Sequence, residues 1–182
     1  PSGELSLDIE KVKERLIQEI KAASKVNLKR FKFLIAKRPP HPARKLLVED
    51  KVIVIGASTG GPQTLELVLP SLPSDFSLPV LVSQHMPNRF FTESFSHHLN
   101  KNCSLKVKVA SDAETISSPA IYLAPGGSHL RVESRTISLT EVSPDTLSPS
   151  IDMAMQSIAK AYQENSIGII LSGIGNDGLK GM

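Results

Sequence analysis

The chain has 182 residues, 40% of them hydrophobic, and a formal net charge of +3, which suits one main hydrophobic core plus a modest appendage. No stretch approaches the about eighteen consecutive apolar residues of a membrane span, and the opening Pro1-Ser2-Gly3-Glu4 lacks the basic-then-apolar pattern of a signal peptide. The expectation is a cytoplasmic protein without membrane insertion.

The charge is uneven along the chain. Residues 1–50 hold 12 Lys and Arg against 7 Asp and Glu, and the remainder holds 9 against 11. The basic leader has no aromatic interleaving beyond Phe31 and Phe33, so it reads as a solvated charged face rather than a nucleic-acid site. Within it Ile9, Val12, Leu16, Ile20 and Ala23 recur at helical spacing, with Ser6 or Asp8 placed to cap the helix. Lys37-Arg38-Pro39-Pro40-His41-Pro42 is too rich in proline for helix or central strand and reads as a linker. The expected division is 1–36 terminal helix and start of linker, 37–48 Pro/basic linker, and 49–182 main domain.

From Leu46 onward apolar runs alternate with helical patterns. Strands are expected at Val52 to Gly56, Val80 to Ser83, Leu105 to Val109, Ile121 to Ala124 and Ile167 to Ser172, with Leu130 to Val132 and Ile137 to Leu139 readable as a hairpin. Helices are expected at Thr64 to Leu69, Phe91 to Leu99 and Ser150 to Tyr162, the last capped by Ser148 or Ser150. The alternation predicts an α/β fold, doubly wound, with a mostly parallel sheet and helices on both faces. Ligands of such sheets gather outside the carboxyl ends of the strands.

Three side chains share that address. Ser58 follows the run Val52-Ile53-Val54-Ile55-Gly56-Ala57, His85 follows Val80-Leu81-Val82-Ser83-Gln84, and Asp177 follows Ile167 to Asn176. The pattern Gly56-Ala57-Ser58-Thr59-Gly60 matches a nucleophile elbow and reads almost equally as a phosphate-cradling loop. A serine hydroxyl needs a neighbouring imidazole as base, and the imidazole a carboxylate to orient it, so the conjunction favours a Ser-His-Asp set. His129, after Gly126-Gly127, is the rival base. Cys103 is the single cysteine, with no activating neighbour in Asn102 or Ser104. No metal is expected, because adjacent His97 and His98 diverge on a helix, and Asp152 reads as a first-turn acid favoured by the helix dipole.

Gly56-Ala57-Ser58-Thr59-Gly60-Gly61-Pro62, Gln84-His85-Met86-Pro87, Ala124-Pro125-Gly126 and Gly168 to Gly178 together resemble, in order and spacing, the catalytic domain of the chemotaxis protein-glutamate methylesterase family, CheB. The resemblance covers most of residues 51–182. It implies hydrolysis of glutamyl methyl esters on chemoreceptors and, in some members, deamidation of receptor glutamines, without metal or organic cofactor. Carried over by motif, Ser58 is nucleophile, His85 general base and then acid, and Asp177 the orienting carboxylate. Backbone N–H groups of Thr59 and Ile174, where the family usually has methionine, are the implied oxyanion donors. Implied partners are the cytoplasmic helices of methylated receptors and a receiver domain, whose last helix the leader resembles; no nucleic acid is expected.

The chain departs from the family at Thr146-Leu147-Ser148-Pro149-Ser150, where a His-Arg-Pro-Ser stretch is usual, and relatives continue beyond Lys180-Gly181-Met182, so the catalytic domain reads as C-terminally incomplete with a sheet edge uncovered. Two other readings compete. One is an anion- or nucleotide-binding module built on the Gly56–Gly61 loop, though Gly-x-Gly-x-x-Gly and a Walker lysine are missing. The other is a general serine esterase of the α/β-hydrolase type, whose order of Ser, Asp/Glu, His differs from the Ser58, His85, Asp177 found here.

Overall fold

The computed structural model describes residues 51–182 except Ser118, together with Ile17, which is helical and exposed. The expected leader helix (Ile17 apart), the linker at 37–48 and the boundaries between segments lie outside the described residues. The described body falls within the unit Leu46–Met182. None of its helices is long and apolar enough to cross a membrane.

Five strands form one sheet: β1 (Val52–Ala57), β2 (Val80–Gln84), β3 (Lys106–Val109), β4 (Ala120–Leu123) and β7 (Ser166–Ile170), in the order β3-β4-β2-β1-β7. All neighbours in this sheet are parallel. β5 (Ser128–Glu133) and β6 (Thr136–Glu141) form a separate antiparallel ribbon. The central strands β1 and β2 are runs of β-branched and aliphatic residues because both of their faces are covered.

Those faces pack against different partners. Ile55, Ala57, Val80, Val82, Ile121 and Leu123 meet Leu65 and Leu69 from α1 (Gly61–Val68) and the turn after it, and Leu99 from α2 (Arg89–Asn102). Val52, Val54, Leu81 and Tyr122, on alternate positions, meet Ile151, Met155 and Ile158 of α3 (Ile151–Tyr162) and Leu130, Val132 and Ile137 of the ribbon. Each of the buried Val, Leu, Ile and Met side chains contributes about 1.5–3 kcal/mol of transfer free energy. At the outer edge, β7 leaves Ile167 and Ile170 each 43% exposed.

Helix starts are set by local chemistry. α2 begins where the Asn88 carboxamide accepts from the Phe91 N–H, and α3 where the Ser150 hydroxyl accepts from the Met153 N–H. α1 starts at Gly61, three residues before the expected Thr64, because Pro62 suits a first turn that needs no N–H. The ribbon turns through Ser134 and Arg135, both at positive φ, between the paired Glu133 and Thr136. Such a two-residue turn matches the twist of its strands.

Candidate functional site

Register brings the first two site residues together. Ala57 pairs with Gln84 across β1 and β2, so Ser58 and His85 leave adjacent strands at the same level. The His85 N–H donates to the Ala57 carbonyl (3.1 Å), and on the other flank the Ser58 N–H donates to the Ser172 carbonyl (2.9 Å). Pairing with β1 therefore runs past Ile170, the last residue of β7, and reaches the expected limit at Ser172. The turn after Ser58 depends on Gly60 at φ 75°, a left-handed conformation costly for other residues, and the Gly61 N–H closes it on the Ser58 carbonyl (2.8 Å). Gly173 lets the β7 loop approach: a Cβ there would lie 2.9 Å from Ser58 Cβ.

The side chains of Ser58, His85 and Asp177 form one series. Ser58 Oγ is 2.8 Å from His85 Nδ1, and His85 Nε2 is 2.8 Å from Asp177 Oδ2. The carboxylate can only accept, so Nε2 carries the proton and Nδ1 is left as acceptor for the serine hydroxyl. The two ring nitrogens are exchanged relative to the common serine-protease arrangement, in which Nε2 faces the serine. The imidazole is 9% exposed and the carboxylate 19%, so little water competes for these bonds.

Asp177 is held by the start of α3. Its Oδ2 also accepts the Ile151 N–H (2.8 Å), while Oδ1 accepts the Asp152 N–H (2.9 Å) and the Ser150 hydroxyl (3.2 Å). Burial by itself raises the Asp177 pKa, but the N–H groups of Asp152 and Ile151, together with the His85 hydrogen bond and charge, outweigh it and hold the carboxyl below its ordinary value. A carboxylate at a helix N-terminus is also favoured by the dipole.

Residues that the sequence did not mark as functional brace this set. Gln84 donates from Nε2 to the carbonyls of Ser58 and His85, both at 3.0 Å, tying the two turns together. Ser172 donates its hydroxyl to the Thr59 carbonyl (2.7 Å). The position of Gln84 beside His85 was visible; that its amide turns back to the backbone was not. His129, the rival base, accepts the Ser150 N–H on Nδ1 (3.1 Å), which occupies that nitrogen in supporting the approach to α3. Burial is the main cause that lowers its pKa; Asp177 opposes this and Arg131 reinforces it.

Ser58, His85 and Asp177 line a small cleft of about 90 Å3 with Ser172, Gly173 and Ile174. Thr59 is next to the serine in the turn, and Ile174 is 81% exposed on the cleft wall. Beyond His85 a larger groove of about 350 Å3 is bounded by Met86, Pro87, Pro144 and residues 145–148. The Thr146–Ser150 segment is fastened there: the Met86 N–H donates to the Ser148 carbonyl (3.0 Å), and the Ser148 hydroxyl accepts the Gly127 N–H (2.9 Å). Among the described residues no group of three His, Cys, Asp or Glu could hold a metal ion. Burial pushes the Cys103 thiol up.

A doubly wound parallel sheet whose strand ends bring a hydroxyl, an imidazole and a carboxylate into one hydrogen-bonded series defines an α/β protein with its candidate site at the carboxyl edge of the sheet. Residues 53–182 match the family model described as CheB methylesterase. Over 191 residues the chain is 39% identical to a protein-glutamate methylesterase/protein-glutamine glutaminase of Halalkalibacterium halodurans, covering 100% of this chain and 54% of the relative. The protein of that name from Bacillus subtilis is 34% identical, covering 100% of this chain and 55% of its own length. The crystal structure of the Thermotoga maritima CheB methylesterase catalytic domain matches with a TM-score of 0.66 and 36% identity, covering 74% of this chain and 73% of that one. The chain belongs to the CheB methylesterase family. It spans about half the length of these curated relatives.

Proposed function

We propose that this chain carries a protein-glutamate methylesterase activity that hydrolyses glutamyl methyl esters on chemoreceptor helices, with deamidation of receptor glutamines by the same chemistry. The observation that carries the reading is the continuous series from the Ser58 hydroxyl through His85 to Asp177, at 2.8 Å for each link. The relatives' names and the family match support the substrate class.

In this mechanism Ser58 Oγ attacks the ester carbonyl as His85 Nδ1 takes its proton, while Asp177 stabilises the imidazolium through Nε2–H. The backbone N–H groups of Thr59 and Ile174 stabilise the tetrahedral oxyanion. Collapse breaks the ester bond, and the imidazolium delivers its proton to the departing methoxide, releasing methanol and leaving an acyl-serine. Water, deprotonated by His85, attacks that acyl group, and Ser58 leaves with the returned proton. With a glutamine side chain the leaving group is ammonia. No cofactor enters the scheme. The reaction takes place in the cytoplasm, on receptor helices that meet a shallow cleft.

The anion-cradle reading fits less well. In the first turn of α1 the Gly61 N–H is already given to Ser58 and Pro62 has none, so the loop is poor in free donors. A general serine esterase of the α/β-hydrolase type remains disfavoured by the order of the three residues. Methanol release from methylated receptor is the test. The chain is expected to release methanol and Ser58→Ala to release none above background; equal release by the two proteins would refute the proposal.

A further inference from the structure

Asp152 lies in the first turn of α3, where a carboxylate held only by the helix dipole would leave its oxygens to water. Instead its Oδ1 accepts three backbone N–H groups, from Gly178 (2.9 Å), Lys180 (2.9 Å) and Gly181 (2.8 Å). These belong to the loop that begins at the residue after Asp177. The Asp152 N–H in turn donates to Asp177 Oδ1 (2.9 Å). The two carboxylates thus brace opposite sides of one junction: Asp177 accepts the Asp152 N–H at the start of α3, and Asp152 accepts the N–H groups of the loop that follows Asp177.

Beyond these bonds the loop is held by Gln156 Nε2, which donates to the Lys180 carbonyl (3.2 Å), and by Gly178, buried beside Ile151 and Ile170. Leu179 and Lys180 are exposed, and the backbone bonds within it run from Leu179 N–H to Asn176 (3.1 Å) and from Met182 N–H to Gly178 (3.2 Å). Three N–H groups converging on one oxygen outnumber the two backbone bonds that the loop makes within itself, and they set the order of this segment. A catalytic set must be held to within a fraction of an ångström, since a misplacement of about 1 Å costs on the order of 10²-fold in rate.

We propose that Asp152 is a positioning residue: by gathering the N–H groups of Gly178, Lys180 and Gly181 it keeps Asp177 Oδ2 on His85 Nε2 and so keeps His85 able to activate Ser58. This rests on the functional reading above. One oxygen makes all three bonds, so the need is for an acceptor at that point rather than for a charge, and asparagine can meet it where alanine cannot.

The test measures, on the full chain, the rate at which a serine-directed phosphonate labels Ser58 in the wild type, Asp152→Ala and Asp152→Asn, together with amide exchange at Gly178, Lys180 and Gly181. Asp152→Ala is expected to slow labelling by about ten- to a hundredfold with the fold intact and the three amides exchanging freely. Asp152→Asn is expected to stay within about threefold of wild type, with the amides protected. A labelled wild type and an unchanged rate in Asp152→Ala would overturn the inference alone. Absence of any Ser58 labelling in the wild type would remove the functional reading and this inference with it. If Asp152→Ala does not fold, fast exchange of the three amides in the wild type, or loss of labelling in Asp152→Asn, overturns the proposal.

Discussion

Replacing Asp177 by asparagine changes almost no volume and reverses the chemistry of one atom. The carboxylate accepts four hydrogen bonds, from His85 and Ile151 on Oδ2 and from Asp152 and Ser150 on Oδ1. An amide has one oxygen. If that oxygen takes the Oδ1 place, the amide N–H2 faces His85 Nε2, and the ring must shift its proton to Nδ1 to accept from it. Nδ1 then faces Ser58 as a donor and cannot take the serine proton. If the oxygen takes the Oδ2 place, the N–H2 confronts the Asp152 N–H, leaving a largely buried donor unsatisfied at a cost of about 1–3 kcal/mol. The first arrangement sets the N–H2 against the Ile151 N–H instead, so each orientation leaves one donor of α3 unsatisfied; the first is catalytically dead, and the second gives His85 a neutral partner that stabilises its imidazolium less. The expected loss is on the order of 10⁴ in kcat, the figure for the corresponding change in a serine protease, or about 5 kcal/mol at about 1.4 kcal/mol per decade. Steady-state methanol release with intact far-UV circular dichroism is the assay. Turnover within tenfold of wild type would refute the claim that the carboxylate sets the tautomer of His85.

Gly173→Ala places a Cβ 2.9 Å from Ser58 Cβ, so methanol release should fall by about ten- to a hundredfold through displacement of the hydroxyl; unchanged kcat would show that the loop yields without moving Ser58. The lowered Asp177 pKa has a stability consequence. A folded-state value below the unfolded one gives stability that is full above the unfolded value of about 3.9 and is lost as pH falls through the folded value. Urea midpoints should therefore drop below about pH 4, and Asp177→Asn should flatten that part of the profile; parallel profiles would contradict it. Leu65→Ala, at a side chain with 0% exposure between α1 and the sheet, should cost about 2–5 kcal/mol in chemical denaturation, and a loss below 1 kcal/mol would mean that this face of the core is loosely packed.

The sheet was legible because its central strands are covered on both faces and leave uninterrupted apolar runs, and because strand ends in a parallel sheet share one edge. That made Ser58 and His85 neighbours by register alone. α1 starts before the expected Thr64 because Pro62, which breaks a helix interior, fits a helix's first turn. The hairpin was found short because Ser134-Arg135 lacks the glycine that marks most two-residue turns, although both residues take positive φ. The bonds between Asp177 and the start of α3 were not readable: nothing in local spacing says that the loop after β7 returns to the start of α3. For the same reason Asp152 looked like an ordinary first-turn acid, while its oxygen gathers three amides from a loop 26–29 residues away in sequence.

The central claim is that His85 Nδ1 and the carboxylate behind it make the Ser58 hydroxyl a nucleophile. Treating the full chain with a serine-directed phosphonate and mapping the adduct by mass spectrometry tests this most directly. A single adduct on Ser58, abolished in His85→Ala, is the predicted result. Labelling of other serines at equal rates, or an adduct on Ser58 that forms as fast without His85 as with it, would contradict the account.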